Sequence, residues 1–102
     1  MELVQGQQSW KIESDRARAW VTELGAMVGP IEFLLGDQWR QVMHVAPWAE
    51  ESIETEPILK SLRGDFFCMP FGMSSVPFSD EIHPLHGEPA NGRWSPESIQ
   101  VD

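Results

Sequence analysis

Near the end of the chain, His83-Pro84-Leu85-His86-Gly87-Glu88 sets two imidazoles and a carboxylate close together in sequence. Imidazole and carboxylate suit Zn, Fe or Mn, so a metal held by His83, His86 and Glu88 is one reading. The spacing argues against it. Pro84, Gly87 and Pro89 disfavour a helix that would put both histidines on one face, and strand residues three apart point to opposite faces. Only a loop could converge them.

Cys68 is flanked by Phe66, Phe67, Met69 and Phe71, apolar surroundings in which a thiol is inert, so it is expected in the core rather than as a nucleophile with His86 as its base. As the single cysteine it makes no internal disulfide, in keeping with a reducing compartment. Ser74 and Ser75 lack the Gly-x-Ser-x-Gly elbow, and no Gly-rich phosphate loop is present.

Arg63 brings a permanent charge next to an apolar run and therefore needs a partner. Asp65, an alternate strand residue on the same face, would make an ion pair. The other reading is a fork of donors aimed at the hydroxyls, carboxylate or phosphate of a ligand. Gly87 lets the backbone turn sharply, so that His86 projects from an ordered loop into a cleft and hydrogen-bonds a polar ligand. Trp94 follows, with Arg93 and Asn91 beside it. An aromatic face next to polar donors suits a sugar, which offers C–H faces and a rim of hydroxyls.

The elements that must position these residues are mostly strands. The 102 residues allow one domain at most, or part of something larger. With 41% hydrophobic and 23% charged residues the chain is expected to fold. No apolar run is long enough to cross a bilayer, and the N-terminus lacks the features of a signal peptide, so a soluble, cytoplasmic protein is expected. A net charge of −9 with seven scattered basic residues offers no footprint for nucleic acid or an anionic membrane.

Eight glycines and eight prolines break the chain into short pieces. Alternation predicts strands at 9–13 and 18–22 with a turn at Asp15-Arg16, and a strand within 26–35 in which Pro30 marks an edge or a bulge. Gly36-Asp37-Gln38 then turns the chain into residues 39–43. Residues 1–43 thus read as a meander of about four strands, 44–61 as an acidic surface loop carrying Glu50, Glu51, Glu54 and Glu56, and 62–102 as the block that carries a site.

The order Leu62-Arg63-Gly64-Asp65, Pro70-Phe71-Gly72, His83-Pro84-Leu85-His86-Gly87-Glu88 and Pro89-Ala90-Asn91-Gly92-Arg93-Trp94 resembles the aldose 1-epimerase (galactose mutarotase-like) superfamily. Glu23-Leu24-Gly25-Ala26-Met27-Val28 is similar to a strand opening common near the start of that family. The resemblance implies an all-β fold, an antiparallel β-sandwich whose concave face binds a hexose. Members interconvert sugar anomers with a carboxylate base on the anomeric hydroxyl and a histidine acid on the ring oxygen.

By position, Arg63 matches the family's substrate-contacting arginine, His86 the histidine of its His-Gly motif and Trp94 the aromatic that follows, with Asn91 and Arg93 in the same sugar-site block. Asp65 and Glu88 depart from the pattern, and Asp65 could pair with Arg63 and remove it from ligand duty. The family's acid/base pair lies well downstream of His-Gly, and no residue here matches it. The resemblance therefore implies the N-terminal, carbohydrate-binding portion of a mutarotase-like sandwich, inactive as an isolated chain and without a cofactor. Its partner would be a hexose or hexose phosphate, and its exposed strand edges would favour self-association. The alternative is a small cupin-like metal- or sugar-binding β module with His83, His86 and Glu88 as ligands.

Overall fold

A computed structural model describes residues 1–73, 76–98 and 100; Ser74 and Ser75 lie outside the described residues. Five strands form one antiparallel sheet in simple chain order: β1 (Glu2–Val4), β2 (Gln7–Glu13), β3 (Ala17–Thr22), β4 (Val28–Leu35) and β5 (Gln38–Gln41). Each connection follows from its turn residues. Gln5 and Gly6 both have positive φ, as a two-residue hairpin of the favoured hand requires. The Ser14 hydroxyl accepts the Ala17 amide at 3.1 Å and closes the β2–β3 turn. Gly36, at φ +67°, opens the loop into β5.

The expected strands are present, with one addition: β1, whose three residues are too few to show alternation. The register between β3 and β4 shifts between Ala19 and Val21, opposite Gly29-Pro30, so Pro30 marks a bulge inside the sheet rather than an edge.

The two faces of this sheet differ in chemistry. Register and alternation put Lys11, Glu13, Arg18, Trp20, Glu32 and Trp39 on one face. There Lys11 pairs with Glu13 and Arg18 with Glu32. The Arg18 guanidinium also lies 4.3 Å from the centre of the Trp39 ring, and Trp20 donates its indole N–H to Glu2 at 2.6 Å. The opposite face carries Leu3, Trp10, Ile12, Val21, Ile31, Phe33 and Leu35.

The buried core lies beyond the end of the sheet, where Met27, Ile58 and Ala90 meet with Leu59, Leu62, Phe66 and Leu85 packed around them. Two one-turn helices supply it: α1 (Pro57–Ser61) and α2 (Gly87–Asn91). Pro57 starts α1 with its φ already helical. In α2, Pro89 stands at the third position, where an amide would have no intrahelical acceptor, so its missing N–H costs nothing.

These helices correct two expectations. Residues 44–61 are not wholly an acidic surface loop: Glu50, Glu51, Glu54 and Glu56 are exposed, but Ala46, Ala49, Ile58 and Ser61 are buried. A helical turn forms in spite of Gly87 and Pro89, but it begins only after His86, so no helix puts His83 and His86 on one face, as expected. Cys68 is half-buried rather than in the core, between exposed Phe67 and Met69.

The fold is mostly β, with a single sheet among the described residues. A compact domain of this length has a radius of gyration of about 13 Å. The chain measures 15.4 Å, with extents of 53 × 32 × 20 Å, the shape of an open layer. No helix among the described residues is long and apolar enough to cross a membrane.

Candidate functional site

The Pro-Phe-Gly and His-Gly blocks, separated in sequence, touch in space. Met69 and Gly87 form an isolated bridge, and the His86 amide donates to the Gly72 carbonyl at 2.7 Å. Gly87 makes the approach possible. Its φ is +81°, and a Cβ there would stand 2.0 Å from the Met69 carbonyl oxygen.

Between the two blocks opens a cleft of about 450 Å³, lined by Pro70, Phe71, Met73, Phe78, His83 and Pro84 among others. Phe71 and Phe78 are 89% and 81% exposed, so these rings face solvent and the cleft instead of filling a core. The volume lies in the range of small-molecule sites, and apolar walls with a few polar groups are their usual composition.

The polar group is His83. Its Nδ1 lies 2.8 Å from a Glu88 carboxylate oxygen and its Nε2 lies 3.4 Å from Glu81. The hydrogen bond to Glu88, reinforced by the charge of both acids, holds His83 above the usual histidine range, and the same bond holds Glu88 below the usual carboxylate range. The rim of the cleft thus presents an imidazole between two carboxylates, able to donate to and accept from hydroxyls.

The residues assigned to sugar binding from sequence, Arg63, His86, Asn91, Arg93 and Trp94, do not line this cleft. Arg63 is 2% exposed and lies across the end of the sheet. Its Nε donates to the Ser61 carbonyl at 3.0 Å, and its two terminal nitrogens donate to Val4 and Gln5 at 2.9 Å each. Burial lowers its pKa from the ordinary arginine value. Asp65 is not its partner: that carboxylate accepts the Phe66 amide at 3.0 Å. Arg63 therefore clamps the β1–β2 turn, including Gln5 in its left-handed conformation.

His86 sits in the left-handed conformation before α2, its ring edge-on to Phe66 at 5.4 Å and its Nδ1 buried without a partner. Asn91 donates to the carbonyls of Leu85 and Gly87 at 2.7 and 2.8 Å, closing α2. Arg93 is exposed and pairs with Glu23. Trp94 donates its indole N–H to Pro89 at 2.8 Å and lines a separate, apolar groove with Trp10, Ile12, Val21 and Ala26.

The metal reading fares no better. Among the described residues no group of three His, Cys, Asp or Glu side chains is placed to hold an ion. His83 and Glu88 are paired with each other, whereas His86 packs on Phe66.

Sequence reading missed Phe71, Phe78, Glu81 and His83 as lining and rim of one cleft. A signal existed: apolar residues from Phe66 to Phe78 follow no period and are broken by Pro70, Gly72 and Pro77, a pattern that suits neither a core helix nor a core strand.

Compared with protein-family models, with curated proteins and with solved structures, the chain matches none.

Proposed function

We propose that this chain is the carbohydrate-binding part of a mutarotase-like β protein, holding a hexose or hexose phosphate in the cleft between Pro70–Met73 and His83–Pro84. One observation supports this above the others: two of the four blocks that carry the resemblance, Pro70-Phe71-Gly72 and the one that opens with His83-Pro84, contribute to the same cleft. Phe71 and Phe78 offer faces to the C–H surface of a sugar, and His83 with Glu81 and Glu88 offers donors and acceptors to its hydroxyls. Arg63 serves as a positioning residue, because its donors are committed to backbone carbonyls.

Anomer exchange needs an acid and a base on opposite sides of the C–O bond. In this reading His83 and its carboxylates sit together on one side, so binding without turnover is expected of the isolated chain. Equilibrium dialysis against glucose, galactose and glucose 6-phosphate, run beside polarimetry of freshly dissolved α-anomers, tests both halves. Saturable binding with mutarotation at the buffer rate is the expected result. Accelerated mutarotation would refute the inactive site, and no binding of any of the three would refute the sugar reading.

A further inference from the structure

The sheet has a finished face and a bare one. On the finished face, charges and tryptophans satisfy one another, as in the pairs Arg18–Glu32, Lys11–Glu13 and Arg18 over Trp39. On the other, Leu3, Ile12 and Leu35 are 68%, 57% and 64% exposed, with Trp10, Val21, Ile31 and Phe33 between them. The face is mostly apolar, with Gln8 on β2 and Gln38 and Arg40 on β5 as its polar strand residues. An antiparallel sheet with one mostly apolar side is built to pack on a second layer about 10 Å away.

We propose that this bare face docks on the same face of a second copy, so that two five-stranded sheets form a sandwich across a two-fold axis. Three observations select a copy over other occupants. The first is charge. Among the strand residues the register leaves this face with Arg40 as its one ionisable side chain, at the rim on β5, while the strand acids Glu2, Glu13 and Glu32 point away. At the other end Glu23 and Arg93, paired with each other, lie beside Leu3 and Gln8. Two chains of net charge −9 can therefore meet here with their strand acids turned outward. A basic partner finds no acid among the strand residues of this face, and a sugar finds few hydrogen-bonding groups.

The second is area. Strands of three to eight residues, spaced about 4.8 Å apart at about 3.3 Å per residue, make roughly 450 Å² of sheet plane. Projecting side chains and the adjoining Trp94–Pro96 wall of the apolar groove bring the accessible surface toward the ~800 Å² that each partner contributes to a stable interface. The third is the edges. The outer strands β1 and β5 have only three and four residues, too short to template a continuous sheet, so faces rather than edges carry the association.

Analytical ultracentrifugation of the whole chain tests this. A dimer of twice 11.6 kDa at micromolar concentration is expected, with Ile12→Lys and Leu35→Glu each weakening it at least tenfold. Lys11→Ala on the finished face should leave it unchanged. Because both face residues are solvent-exposed, circular dichroism of the variants should match the parent. Independently of any variant, isotope-filtered NMR of the parent should show contacts between copies at Ile12, Phe33 and Leu35. A monomer at 100 μM would overturn the proposal. So would a dimer that neither face variant weakens, or one whose contacts between copies map to β5 or to the cleft.

Discussion

Residues 1–43 hold together by pattern: alternation, register and connections of two to five residues bring each strand to its neighbour, and the strand register shifts only at the bulge opposite Pro30. Residues 62–94 hold together by close approach. Gly64 passes the Val28 carbonyl, Gly87 passes the Met69 carbonyl, and Arg63 reaches 58 and 59 positions back along the chain to the carbonyls of Gln5 and Val4. The difference teaches where a site can sit. A regular sheet spends its polar groups on its own ladder, whereas an irregular block fixed at a few points leaves side chains such as Phe71, Phe78 and His83 turned outward.

The contrast can be broken most forcefully at glycine. Gly64 has φ +47°, and a Cβ there would sit 1.7 Å from the Val28 oxygen, so Gly64→Ala should cost about 3 kcal/mol or more in urea unfolding. Gly36→Ala in the open hairpin, where nothing lies within 4 Å, should cost only about 1 kcal/mol. Equal costs would mean that the block is not held by close approach.

Next comes the clamp. Arg63→Met removes three donors from one buried and two part-buried carbonyls and should lower stability by about 2–4 kcal/mol. Arg63→Lys, which cannot reproduce the fork, should recover little of that. If stability instead survives both changes while sugar affinity falls, Arg63 touches ligand directly and the assignment as a positioning residue is wrong.

A smaller effect sharpens the chemistry of the cleft. His83 is held above its ordinary pKa, so its interaction with Glu88 is complete below the unfolded histidine value and is lost as pH rises through the raised one. Glu88 is held below its ordinary value, so the pair is also lost as pH falls through that lowered value. The pair is therefore intact between the two. An NMR titration of the His83 ring should give a pKa above the usual histidine value of 6.5, and Glu88→Gln should bring it down. No change on substitution would show that the pair does not persist in solution.

Smallest is Arg18 on the finished sheet face, where the charge pair with Glu32 and the stacking on Trp39 are partly solvated. Arg18→Ala should cost about 0.5–1 kcal/mol, read as a small shift in the urea midpoint.

Most of the sheet was legible because strand alternation and turn chemistry are local. Ser9–Glu13, Arg18–Thr22 and the Gly36 turn could be read directly, and Pro30 announced its bulge. What could not be read was short or distant. β1 and both helices have three to five residues, below the length at which a period shows. Pro89 looked like a helix breaker, but its effect depends on its position in the helix, which the sequence does not mark. The partners of Arg63 are backbone carbonyls at the opposite end of the chain, and no side-chain pattern points to them. For the cleft, the motif order drew attention to His86 and Asn91, which lie outside its lining, rather than to Phe78 and Met73, which line it.

The central claim is that a sugar enters the cleft between the two blocks. Its most direct test is an amide-resolved NMR titration of the intact chain with galactose and with glucose 6-phosphate. The account predicts saturable shifts at Phe71, Gly72, Phe78 and His83, abolished by Phe71→Ala and unaccompanied by shifts at Arg18 or Trp39 on the finished sheet face. Saturable shifts confined to other parts of the molecule, or none with either sugar, would contradict it.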